Sequence, residues 1–256
     1  MSKRFRFILT STILSVGFII IQFLQDSYKF PSIAALVVLT AILFFWSLRE
    51  GLGKNMTLVS LVLPVLFTLG VGIFWFLLPS SLYAKIPIVL FFAAGVYVLC
   101  LTMNIYTVSA TRTTIALLRA ARGVGFVLTL VTAFLIFNAI LSLRQNVLFM
   151  LPLYFISSFL LFFQGFWSIE LERTIQKKVV YMSLISAFVL TQFAVGIFFW
   201  PVTVVVGSLF LTSGVYLLLG LGQARLEERL FPVTIREYLT VGLVVLLGML
   251  FATRWG

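Results

Sequence analysis

Histidine is missing from the 256 residues, and cysteine occurs once, at Cys100. The first absence removes the commonest general base and the commonest metal ligand together. The second excludes an intrachain disulfide and a cysteine metal site, leaving Cys100 as a small buried hydrophobe. Charge is also scarce: charged residues make up 10% of the chain, and only seven of them are acidic. None of the seven falls within a long apolar run, so an intramembrane proton relay or substrate counter-ion lacks its usual carrier. No Walker loop, nucleophile elbow, zinc spacing or dinucleotide fingerprint occurs, and no cofactor is expected.

Apolar residues are abundant. They form 62% of the chain, with a mean hydropathy of +1.20. A soluble domain is roughly half apolar and a quarter charged. Several uncharged runs reach the roughly 20 residues that a helix needs to cross a hydrocarbon core of about 30 Å. A membrane barrel would show short alternating segments instead. The fold class is therefore all-α, a polytopic transmembrane helical bundle of about nine spans. They fall near residues 7–24, 31–48, 57–78, 86–108, 123–143, 147–169, 179–200, 201–222 and 237–253. One uncharged run, 179–222, is too long for a single crossing, so Trp200-Pro201 is read as a hairpin turn. At the other end, Thr234-Ile235-Arg236-Glu237 has the spacing of a capping box and is expected to open the ninth helix.

Basic residues divide unequally between the two sets of connections. Fourteen of the eighteen lie before the first span or after the even-numbered ones, and Lys29, Lys85, Arg144 and Arg254 lie on the other face. The positive-inside rule then places the N-terminus in the cytoplasm and the C-terminus outside, in a bacterial or archaeal cytoplasmic membrane. Lys3-Arg4-Phe5-Arg6 before an apolar run also resembles a secretory signal. The run continues to Leu24, which suits an uncleaved span better. Tryptophans agree with this layout: Trp46 and Trp167 fall at cytoplasmic ends, Trp75, Trp200 and Trp255 at outer ends, as an interfacial aromatic belt requires.

Short words recur at a nearly constant offset. Phe45-Trp46-Ser47 returns as Phe166-Trp167-Ser168, Val71-Gly72-Ile73-Phe74 as Val195-Gly196-Ile197-Phe198, and Gly95-Val96-Tyr97 as Gly214-Val215-Tyr216. Pro79 and Pro201 occupy matching turns. These echoes predict a parallel 4+4 internal repeat, with residues 1–122 and 123–236 as four-span units, each with its cytoplasmic connector, and 237–256 as an extra C-terminal span. Four spans per unit would give both halves the same orientation.

Neutral polar residues within the spans are the candidates for a ligand site. Tyr97 and Tyr216 are repeat-related and, with Asn104, Gln164 and Gln192, are the expected lining of a cavity; interhelical hydrogen bonding is their blander use. Arg112, Arg119 and Arg122 lie within about 80° on a helical wheel, which suits an interfacial helix over Ser109–Arg122 gripping anionic headgroups. Span four continuing into water is the alternative. The glutamates 50, 170, 172, 227, 228 and 237 sit at or beyond cytoplasmic ends, where i,i+4 pairing such as Glu172 with Gln176 explains them without catalysis. Small residues four apart, Ser11 with Ser15, Ala121 with Gly125 and Gly248 with Ala252, permit close helix contact.

Three functions fit. A non-catalytic scaffold or subunit acting through lipid and helix contacts leads. The alternatives are a transporter of a small neutral or lipophilic substrate, and a membrane-embedded lipid-modifying enzyme, which would need converging glutamates. Expected partners are membrane lipids, including anionic headgroups on the cytoplasmic side, and a membrane protein or a second copy of the chain. Net charge of +11 does not point to nucleic acid, because the basic residues flank spans instead of forming one surface.

Overall fold

A computed structural model of the chain describes residues 2–24, 26–49, 54–77, 82–109, 115–172 and 174–253. Among the described residues there are nine helices and no strand: α1 Lys3–Gln22, α2 Asp26–Leu48, α3 Lys54–Phe76, α4 Leu82–Ser109, α5 Ile115–Ser142, α6 Val147–Glu170, α7 Lys177–Phe198, α8 Val204–Leu226 and α9 Pro232–Ala252. All nine are long and apolar enough to cross a membrane. The protein is an integral, multi-pass membrane protein. Helices are the expected solution, because in hydrocarbon each backbone N–H and C=O must find its partner within the segment.

Two compact units divide the chain, Met1–Leu128 and Thr129–Gly256. In the first, α1 packs on α2 and α4, α2 on α3 and α4, and α3 on α4. Its core is aromatic: Phe92 of α4 lies 4.8 Å from Phe18 of α1 and 6.1 Å, nearly parallel, from Phe67 of α3. Polar side chains here point inward. On α1, Thr10, Ser11 and Ser15 are buried while Ile13, Val16 and Ile20 are exposed. Apolar surface costs nothing in lipid, whereas a hydroxyl needs a partner. Thr10 shares a 2.6 Å hydrogen bond with Ser47 of α2, Thr40 shares one of 3.1 Å with Thr68 of α3, and Ser11 donates to the Ala93 carbonyl of α4 at 2.7 Å.

In the second unit α6 packs on α7 and α8, α7 on α8, and α8 on α9. Asn138 of α5 donates to Ser208 of α8 at 3.3 Å, and Gln223 of α8 donates to the Gly165 carbonyl of α6 at 3.0 Å. α9 buries only Met249 of its 21 residues.

Several expectations need correction. α5 begins at Ile115, eight residues before the expected start, so Arg119 and Arg122 belong to its first turns and not to a separate interfacial helix. The capping box does not open α9: Phe231 is the N-cap and Pro232 the first helical residue. Proline's fixed φ and missing N–H suit that position. Trp75 and Trp167 turn inward, Trp75 edge-on to Phe18 at 5.8 Å and Trp167 donating to the Glu172 carbonyl at 3.3 Å. The hairpin at Trp200-Pro201 is as expected, with α7 ending at Phe198 and α8 starting at Val204. Glu50, Pro79, Arg112, Arg173, Arg254 and Trp255 lie outside the described residues.

Small-residue pairs behave unequally. Ala121 and Gly125 admit Tyr106 of α4, whose hydroxyl donates to the Ala121 carbonyl at 3.0 Å. A Cβ on Gly125 would collide with that same hydroxyl. Around Gly248, by contrast, nothing lies within 4 Å of where a Cβ would be.

Candidate functional site

The five neutral polar candidates occupy different surroundings. Tyr97 and Asn104 lie two turns apart on α4, both half-buried. Asn104 edges a recess of about 150 Å³ with Val108, Ser109 and Leu117. Gln164 of α6 is 1% exposed, and its Oε1 has no hydrogen-bond partner among the described residues. Tyr216 of α8 packs its ring 5.0 Å from that of Tyr238 on α9. Gln192 of α7 is exposed and lines a true cavity.

Two cavities open in the second unit. One, about 390 Å³, is an apolar crevice between α7, α8 and α9, walled by Gln192, Phe193, Phe210, Leu217, Leu246 and Met249. Gly196, Gly214 and Gly242 border it, but a Cβ on Gly214 would meet Leu190 at 2.7 Å and one on Gly242 would meet Leu217 at 2.6 Å, so of the three only Gly196 faces open space. At Gly196 a Cβ would find nothing within 4 Å, whereas at its echo Gly72 it would lie 3.1 Å from Ile33 of α2. Among the described residues the polar groups of the crevice are Gln192, Ser213 and the Trp200 indole, and the Ser213 hydroxyl is committed to the Phe210 carbonyl at 2.7 Å. Such walls suit a hydrocarbon chain.

The second cavity, about 740 Å³, lies at the end of the unit where α5 gives way to α6 and α7 to α8. It shares Ile197 and Trp200 with the crevice. Trp200 is fixed between them, its Nε1 donating to Thr253 Oγ1 at 2.9 Å. Sequence reasoning missed this arrangement apart from Gln192. The signal was present in the glycines of spans seven, eight and nine, but spacing cannot say whether a neighbour fills the gap that a glycine leaves.

Arg119 is exposed and Arg122 half-buried on α5. Glu227 meets Arg229, two residues on, at 3.8 Å, and largely exposed pairs of that kind contribute at most about 1 kcal/mol. Among the described residues no three His, Cys, Asp or Glu side chains gather as a metal site would need.

Tyr154 carries a direct test of polar satisfaction in the α6 interior. Its hydroxyl is buried without a hydrogen-bond partner among the described residues, while its ring packs 5.8 Å from Phe137. A buried unsatisfied group costs roughly 1–3 kcal/mol. Tyr154→Phe keeps the ring and removes the hydroxyl, so denaturant unfolding in detergent should show stability raised by about 1 kcal/mol. A loss of stability would mean that the hydroxyl is satisfied in the membrane.

Over residues 9–252 the chain matches the family model described as a protein of unknown function (DUF5656). No curated protein and no solved structure matches it.

Proposed function

We propose that the chain, which belongs to the DUF5656 family, is a non-catalytic membrane protein that works as a scaffold or subunit through lipid and helix contacts. The observation that carries this reading is the glycine-bordered crevice between α7, α8 and α9, apolar on nearly every side and half-open. A chain of hydrocarbon is what such walls accept, and a polar solute would lose its hydration there without recompense. α9, with nearly all of its surface free, adds a helix available to lipid or to another transmembrane helix. The test is lipid retention. Protein purified through exhaustive detergent exchange should keep tightly held lipid, measured by mass spectrometry of the extract, and Gly196→Leu, which fills open space, should lose it while remaining monodisperse. Complete loss of lipid from the wild-type protein would overturn the reading.

The same proposal includes the parallel 4+4 repeat. In its support, the adjacency of α2, α3 and α4 recurs in α6, α7 and α8. Pro31 is the sixth residue of α2 and Pro152 the sixth of α6. Fully buried Phe92, Val96 and Cys100 of α4 are answered by Leu211, Val215 and Leu219 of α8. Gly95 packs against Phe67 of α3, and Gly214 against Leu190 of α7. The proposed orientation keeps the N-terminus cytoplasmic and the C-terminus outside. Reporters fused after Met1 and Gly256 should therefore label opposite faces, and a shared face would remove the odd number of crossings.

A further inference from the structure

We infer that the two adjoining cavities of the second unit form one binding site for an anionic lipid, its phosphate headgroup beside Arg144 and one acyl chain in the crevice. The inference rests on the lipid-contact reading above and specifies the class of lipid. Continuity is the first argument. Ile197 and Trp200 border both spaces, and the crevice runs from Trp200, just past the end of α7, back to Gln192, about 9 Å along the helix axis from Phe198. A molecule with a polar end and an apolar tail would occupy both at once.

Charge is the second argument. The larger cavity is lined by Arg144 and Gln145 in the α5–α6 turn, and among the described residues no acidic side chain contributes to its wall. Thr203 and Val204, the N-cap and first residue of α8, also line it. The hydroxyl of Thr203 is spent on Val206 N–H at 3.4 Å, so the remaining positive character comes from the helix end itself. A helix N-terminus carries about half a positive charge, and here it faces the same space as a guanidinium. Guanidinium matches phosphate oxygens in a bidentate fork.

Local geometry is the third. Arg144 has φ of +47°, the left-handed region that non-glycine side chains enter at a cost. Its N–H reaches back to the Leu141 carbonyl at 3.4 Å, closing the turn that sets the side chain at the cavity rim. Trp200, held by Thr253 between headgroup space and tail space, sits where the amphipathic indole is favoured in a membrane.

The experiment uses the full chain in a neutral detergent, with lipid binding read by native mass spectrometry. The probes are phosphatidylglycerol and phosphatidylcholine with identical acyl chains. The wild-type protein should prefer phosphatidylglycerol by about tenfold, the size of one charge-assisted contact. Arg144→Gln should abolish that preference, and Arg144→Lys should keep part of it, which separates lost charge from lost folding. Lys177→Gln, at the opposite end of α7 from the cavity, should leave it unchanged. Gly196→Leu should weaken both lipids alike. Equal binding of the two lipids by the wild type would overturn the anionic site while leaving the crevice reading intact. A preference that survives Arg144→Gln, that disappears in Lys177→Gln, or that millimolar inorganic phosphate removes by displacing the lipid would overturn it as well. Failure of any lipid to remain bound would count against both.

Discussion

Gly95→Ala is expected to destabilise the protein by about 1–3 kcal/mol, the usual cost of forcing atoms into a filled core. In an ordinary helix the same change stabilises, because glycine loses more backbone freedom on folding than alanine. Here the added methyl would collide with the Phe67 ring of α3. That ring has little room to move: it is fully buried, with Phe91 at 5.9 Å and Phe92 stacked at 6.1 Å. Gly214→Ala, at the echoed position, meets the Leu190 Cδ1 methyl at 2.7 Å, the end of a flexible side chain, and should cost less. Gly196→Ala enters open space and should be neutral or stabilising. Phe67→Leu in the Gly95→Ala background should recover part of the loss, giving a coupling energy that distant pairs do not show. Thermal unfolding in one detergent measures these four variants and Phe67→Leu alone, which the coupling energy requires. Equal effects at Gly95 and Gly196 would mean that the α3–α4 contact is loose.

The contrast among these glycines also shows how far the sequence could be read. Crossing segments were legible because hydrocarbon thickness imposes a length that composition alone reveals, and all nine expected spans coincide with helices among the described residues. Ends were less legible. Arg119 and Arg122 look like a break in a hydropathy reading, yet α5 runs through them, since long basic side chains can carry their charge to the interface from within a helix. Thr234 has the right neighbours for a cap, but Pro232 two residues earlier starts the helix first.

The candidate site was legible only in part, for a different reason. Polarity singled out Tyr97, Asn104, Gln164, Gln192 and Tyr216, and in a soluble protein buried polarity would be a fair guide to a pocket. In a membrane protein buried hydroxyls and amides also bond across helices, as Thr10 does with Ser47 and Asn138 with Ser208. Polar character therefore marks helix contacts as readily as a cavity. The crevice instead opens where no neighbour fills the space beside Gly196, whereas Leu190 and Leu217 close on Gly214 and Gly242. That is a property of packing, and Gly72 with Ile33 against it carries nearly the same sequence word without the space.

Arg6 was read as one of a run of flanking cations, and its side chain is 2% exposed. Arg6→Ala should therefore cost about 2–5 kcal/mol, as truncation of a large buried side chain does, whereas Arg4→Ala, at an exposed position two residues earlier, should change stability by no more than about 0.5 kcal/mol. Arg6 lies where the start of α1 meets the end of α2. Its carbonyl accepts from Ser47 Oγ at 3.5 Å, and Ser47 in turn shares a hydrogen bond with Thr10, one turn further along α1. A guanidinium is tolerated out of water only when its surroundings engage it. Truncation would remove its packing and expose this hydroxyl pair to solvent from the membrane face. Arg6→Met separates the two parts: it restores most of the volume without the charge, so the stability it fails to recover belongs to the guanidinium. Denaturant unfolding of the three variants in one detergent gives the comparison. Equal losses from Arg4→Ala and Arg6→Ala would return Arg6 to the role of a topology-setting surface charge.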